Sequence, residues 1–251
     1  MMRVLSLSCL YFFLLLSCTK EVPVLPQRVI VTPMDTLKTD TAIVKDTVSN
    51  NTYAYLALGD SYTIGESVSE SDRYPVQTAA LLKQEGIHFF APEVIARTGW
   101  TTADLLRAIN NTAPSQIKYD IVTLLIGVNN QYQGLSRSQY TEEFTSLLNK
   151  AIAYAGNNKG RMFVLSIPDY SVTPFGNGSN AAFIAKEIDA FNEINKEITT
   201  NTGIQYIDIT SSTRLAANDP SLTATDGLHP SGKEYAKWAA LLAPLVKKSL
   251  Q

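Results

Sequence analysis

Short apolar runs separated by longer amphipathic stretches organise most of this chain: Tyr55–Leu58, Val94–Ala96, Ile121–Ile126, Met162–Ile167 and Ile204–Ile207. Runs of this length, apolar along their whole extent rather than at alternate positions, fit strands buried on both faces. Between and after them, apolar residues return at spacings of three and four. The stripes are Ala79-Ala80-Leu81-Leu82, Ala103-Leu105-Leu106-Ile109, Phe144-Leu147-Leu148-Ile152, Ile184-Ile188-Phe191-Ile194-Ile198 and Tyr235-Trp238-Ala239-Leu242-Val246. That period belongs to helices with one buried face. Strands alternating with helices predict a parallel sheet with crossover helices on both sides, a three-layer α/β/α sandwich of about five strands. Gly86 and Gly203 follow the first and fourth of these helices as stop signals, and Pro230 stands where the last is expected to begin.

The alternation starts only at Tyr53. Residues 1–18 read as a processing signal: Arg3 is the positive end, Val4–Leu16 an apolar core too short to span a membrane comfortably, and Leu15-Leu16-Ser17-Cys18 its end. This ending resembles a bacterial lipobox, in which the cysteine becomes the lipidated first residue; a plain secretory signal and an uncleaved anchor are the alternatives. Cys18 is then a membrane anchor and the expected location is the cell envelope. Residues 19–52 carry prolines at 23, 26 and 33 and a Thr/Asp/Lys-rich run at 35–41, without glycine. They read as a semi-extended tether, with Val29-Ile30-Val31 at most a weak strand. The third segment, 53–251, is the folded domain.

Composition narrows the function. The chain has 251 residues, 45% hydrophobic and 18% charged, with a net charge of -2, so no basic stripe points to a nucleic-acid partner. Both cysteines, Cys9 and Cys18, lie in the leader, which leaves the domain without a thiol, a disulfide or a cysteine metal site. No carboxylate pair has recognisable metal-ligand spacing, so neither metal nor other cofactor is expected.

The first apolar run ends in Gly59-Asp60-Ser61-Tyr62. The glycine permits a sharp turn, and a serine there stands at the carboxyl end of a strand, where open α/β sheets place their ligands. Gly-Asp-Ser alone is weak, because every turn favours these residue types. It gains weight from Asp226-Gly227-Leu228-His229-Pro230 near the other end. A serine nucleophile needs a base, and the base needs a group to hold its tautomer. Only two histidines are available. His88, flanked by apolar residues, reads as structural or surface. His229 follows Asp226 by three positions across a glycine, a spacing that puts a carboxylate on one imidazole nitrogen and leaves the other for Ser61.

With these blocks the chain resembles the SGNH hydrolases, also called GDSL esterases and lipases. Tyr62 stands where the family name has leucine. The second block's glycine is matched by Gly99 in Arg97-Thr98-Gly99-Trp100, and the third block's asparagine by Asn129 in Gly127-Val128-Asn129-Asn130, where Asn130 replaces a usual aspartate. The resemblance implies a flavodoxin-like sandwich. It implies Ser61 as nucleophile, His229 as base and Asp226 as its partner. An oxyanion hole would come from the backbone N–H groups of Ser61 and Gly99 and the Asn129 amide. It also implies an ester substrate, short-acyl or acylated carbohydrate; a lysophospholipase and a non-catalytic surface protein retaining the fold are the alternatives. Arg73-Tyr74-Pro75 shapes a pocket wall or begins a helix, Gln131-Tyr132 is placed to touch substrate, and the loop 168–178 carries specificity or is a solvent-exposed connection. Trp100 is expected in packing rather than as a sugar platform.

Overall fold

The computed structural model describes residues 51–111, 114–116, 118–178 and 180–251. The leader over 1–18, its Cys9 and Cys18, and positions 19–50 of the tether lie outside the described residues.

The expected apolar runs all lie in one sheet. Its strands are β2 (Tyr55–Asp60), β4 (Glu93–Arg97), β5 (Ile121–Leu125), β6 (Met162–Leu165) and β7 (Gln205–Ile207), in the order β4-β2-β5-β6-β7 and parallel throughout. Every residue of β2, β5 and β6 is buried, which is why they read as unbroken apolar runs. A separate parallel pair joins β1 (Thr52–Tyr53) to β3 (His88–Phe89). Two-residue strands leave no periodic trace, so this pair was invisible to hydropathy. It draws Thr52, assigned to the tether, into sheet pairing and leaves His88 on the surface.

Helices cover both faces. Those with stripes are α2 (Tyr74–Gln84), α3 (Thr102–Asn111), α5 (Arg137–Tyr154), α6 (Ala181–Asn201) and α8 (Gly232–Leu250). Helix α2 packs on α8, while α3 packs on α5 and α5 on α6. The first pair is locked by buried rings: Tyr235 and Trp238 meet edge to face with centroids 4.9 Å apart, and Trp238 lies 6.1 Å from Tyr74. Tyr74 thus begins a helix and packs; it is no pocket wall. Across the sheet, Tyr140 and Phe191 close to 4.8 Å. Each such ring withdraws 150–250 Å² from water, of order 2 kcal/mol or more of stabilisation. Pro230 does not open α8. The helix starts at Gly232, with the Ser231 hydroxyl accepting from the Glu234 N–H. Three single-turn helices, α1 (Ser61–Ile64), α4 (Val128–Tyr132) and α7 (Thr210–Thr213), are too short to show a stripe.

The first strand of the sheet, β2, lies between the second and the third. The chain leaves β2 towards one edge for β4 and returns past it for β5, which opens a crevice at the carboxyl ends. Ser61 follows β2 at that crevice. The turn into α1 depends on Gly59 for a reason the sequence did not indicate: Gly59 is still in the strand, and space rather than backbone freedom is what it supplies. A Cβ there would lie 2.1 Å from Thr63 Oγ1 and 2.4 Å from the Leu125 carbonyl oxygen. Because the carbonyl belongs to a neighbouring buried strand, it cannot move aside. Gly59→Ala is therefore expected to lower the unfolding free energy by about 1–3 kcal/mol or more, read as an earlier urea midpoint at unchanged m-value.

Candidate active site

Asp60 ends β2, and its carboxylate accepts from the Tyr62 N–H at 3.0 Å, capping α1. This cap sets the first turn of the helix and thereby the position of Ser61. Ser61 is itself almost wholly buried, with 4% of its surface accessible, rather than held out on the surface as a raised hydroxyl; solvent reaches it only through a cavity. Asp60 is completely buried too, and its second carboxylate oxygen has no partner among the described residues. Burial raises its pKa from 3.8 to about 7, against the lowering effect of the Tyr62 N–H.

Gly227, at φ +72°, turns the chain back so that Asp226 meets His229. Its Oδ2 lies 2.6 Å from Nδ1 of the imidazole, and its Oδ1 accepts the backbone N–H groups of Leu228 and His229 at 2.9 and 3.0 Å. Burial acts to raise the Asp226 pKa, but hydrogen bonds from Ser67, the His229 ring and these N–H groups outweigh it and hold the carboxyl well below its usual range. A carboxylate can only accept, so the proton sits on Nδ1 and Nε2 carries the lone pair. His229 is buried beneath the ring of Tyr62, 5.0 Å between centroids, and lines the same cavity as Ser61. Among the described contacts no direct hydrogen bond joins Ser61 Oγ to the imidazole.

Opposite lie Gly99, in the loop after β4, and Asn129, in the single turn of α4 that follows β5. Gly99 adopts φ +82°, a conformation that favours glycine, and its N–H has no partner among the described residues. The Asn129 amide donates one N–H to the Trp100 carbonyl at 3.0 Å, which leaves its second N–H free beside the cavity. Trp100 itself is half-buried and packs against the core. Asn130 is fully buried and pairs twice with Thr102: Oδ1 accepts the backbone N–H at 3.0 Å, and Nδ2 donates to Oγ1 at 2.6 Å. The Thr102 hydroxyl gives its own proton to Glu143. Residue 130 must therefore donate, which an aspartate carboxylate cannot do.

The cavity, about 220 Å³, has Ser61, Thr98, Gly99, Asn129 and His229 on its polar side. Val128, Tyr132, Tyr170, Phe175 and Leu228 form an apolar wall. Tyr170 and Phe175 come from the long loop after β6, and Tyr170 is fixed by a 2.9 Å hydrogen bond from its hydroxyl to the buried Gln131. A second cavity of about 270 Å³ shares Tyr132, Tyr170 and Phe175. The structure thus gathers Ser61, Gly99, Asn129 and His229 around one space, with Asp226 behind the imidazole. The hydrogen bond from Ser67 to Asp226 was not visible in the sequence, where Ser67 is one serine among several in a polar loop. An imidazole oriented by a carboxylate can take a proton from a hydroxyl, and convergent N–H donors can hold the charge that develops on a carbonyl oxygen.

The family model described as GDSL-like Lipase/Acylhydrolase family matches residues 57–237. No curated protein matches the chain. Among solved structures, a lipase, Lip_vut3, from goat rumen metagenome is similar at 19% identity and a TM-score of 0.63, over 77% of this chain and 97% of its own. The acetylxylan esterase Axe2 of Geobacillus stearothermophilus is similar at 18% identity and 0.59, over 77% and 94%. The structure titled TesA is similar at 18% and 0.59, over 78% and 99%.

The buried carboxyl of Asp60 gives a measurable pH dependence. With its folded pKa raised to about 7, the native state binds more protons than the unfolded state between roughly pH 4 and 7. Stability therefore falls as pH rises through that window and levels above it, by at most about 4 kcal/mol. Asp60→Asn keeps a capping acceptor without the charge. Urea unfolding at pH 4.5 and 8 is expected to show a smaller loss at the higher pH for the variant than for the parent.

Proposed function

The chain belongs to the GDSL-like lipase/acylhydrolase family, whose members are ester-bond hydrolases, and on that basis we propose that it is a serine esterase working through an acyl-enzyme on short-acyl or acylated carbohydrate substrates. One observation carries the reading: Ser61 shares a cavity with an imidazole whose Nδ1 is engaged by Asp226, opposite two unengaged N–H groups. Nε2 of His229 takes the Ser61 proton as Oγ attacks the ester carbonyl, and Asp226 stabilises the imidazolium. The tetrahedral oxyanion forms within reach of the N–H groups of Ser61, Gly99 and Asn129. Each such donor contributes on the order of 100-fold to 1000-fold in rate. His229 then protonates the leaving alcohol, and the same base activates the water that releases the acid.

The apolar wall of Val128, Tyr132, Tyr170, Phe175 and Leu228 supports an acyl group in the cavity, whose 220 Å³ suits a small one. Support for an acylated carbohydrate comes from the acetylxylan esterase among the similar structures. A lysophospholipase-type activity is the second reading. It is favoured by the continuation of the aromatic wall into the second cavity, where a longer chain would lie. We also propose that Cys18 carries a lipid which holds the protein in the cell envelope, the reading its lipobox-like setting supports.

The purified protein is expected to hydrolyse p-nitrophenyl acetate, with Ser61→Ala reducing kcat at least 1000-fold; equal rates would remove the esterase reading. Labelled fatty acid fed to expressing bacteria is expected in the full-length chain and not in Cys18→Ala, and equal labelling would remove the anchor.

A further inference from the structure

Asp226 accepts four hydrogen bonds, which fills the acceptor capacity of a carboxylate. Three come from its own turn, from the N–H groups of Leu228 and His229 and the His229 ring. The fourth comes from far along the chain: Ser67 Oγ donates to Oδ2 at 2.7 Å. That oxygen is the one on which the imidazole Nδ1 rests. Among the described residues, Ser67 thus supplies the side-chain hydrogen bond that ties the Asp226–His229 turn to the segment carrying Ser61.

The backbone around Ser67 is built for this contact. Immediately after α1, Glu66 returns its N–H to the Ser61 carbonyl at 3.0 Å, and Val68 closes a turn on Gly65 at 3.3 Å. Ser67 sits inside that turn at φ +64°, a left-handed conformation that residues with a Cβ adopt at a cost. Glycine would hold this backbone more easily but would bring no hydroxyl. Next to it, Glu66 accepts the hydroxyl of Thr98, the neighbour of Gly99, so the same short loop grips both walls of the site.

We propose that Ser67 is a positioning residue, which aligns Asp226 on the imidazole and tempers the carboxylate's pull on its proton, a role that rests on the esterase reading above. The Asp226 side chain is 29% exposed, so without Ser67 only the donors of its own turn, among the described residues, fix its alignment on the imidazole. The hydroxyl also draws charge from Oδ2. Removing it leaves the carboxylate more basic, and so a stronger acceptor for the imidazole N–H. The other ionisable groups around this pair stay the same in any Ser67 variant. They are Asp60 at the end of β2, Tyr62 on α1, Asp169 with its Arg214 partner, Tyr170 on the loop after β6, and Tyr235 and Glu234 on α8, the last paired with Lys237.

The test uses the full-length chain with p-nitrophenyl acetate and compares the parent with Ser67→Gly, Ser67→Ala and Ser61→Ala. Both Ser67 variants are expected to lose about tenfold in kcat, with KM within about twofold, because the loss falls on the transition state. The acid limb of kcat/KM is expected to move to higher pH. Ser67→Gly, free of the left-handed strain, should unfold no earlier than the parent on heating, so its kinetic loss cannot be ascribed to a damaged fold. A Ser67→Gly enzyme with the parent's kcat, or with a lower kcat and an unmoved acid limb, overturns the proposal while an inactive Ser61→Ala leaves the esterase reading standing. Activity persisting in Ser61→Ala would instead bring down that reading.

Discussion

The close approach between β2, α1 and β5 at Gly59 is the constraint on which the site depends. A helix can begin directly at the end of a buried strand only if its first turn nests against the neighbouring strand. Here Thr63 and the Leu125 carbonyl fill the space a side chain at position 59 would occupy. That nesting places Ser61 at the mouth of the crevice and commits Asp60 to a place without water. The buried cap is costly as a carboxylate, since one of its oxygens has no partner among the described residues. Ser61 thus follows the last residue of a central strand directly.

Around this turn the site is assembled by local hydrogen bonds between loops. Trp100 fixes the Asn129 amide, Thr102 and Asn130 hold each other, and Ser67 and Glu66 reach to either side. The polar groups that face the cavity are thus held by hydrogen bonds within the protein, an arrangement in which dipoles can act on charge without first reorienting. Glu143 extends the arrangement outward by taking the Thr102 proton, so the first turn of α3 and the start of α4 are braced from α5.

The main sheet was legible because its three inner strands, β2, β5 and β6, are buried on both faces and its long helices on one, so burial writes a pattern into the residues. Two-residue strands and single-turn helices carry no such period, which is why β1, β3 and the short helices went unread. Ser61 and His229 could be singled out by chemistry, since a serine nucleophile needs a base and few histidines were on offer. Gly99 and Asn129 are commonplace residues taken singly, and only their order along the chain marked them. Ser67 gave no sign: a left-handed serine looks like any other in sequence, and its partner lies at the opposite end of the domain. Asp60 was misleading in a different way. It reads as a polar turn residue, and its desolvation follows from the packing of α1, which no local pattern encodes. Pro230 marked the approach to α8 without opening it, because a serine cap intervenes.

Because every strand of the main sheet runs the same way, the domain has two unlike poles. The chain enters through β1 and the start of β2 at the amino pole, and the cavity opens at the carboxyl pole, about 20 Å away along a six-residue strand. Residue 51, next to β1, therefore lies on the side of the domain remote from the opening.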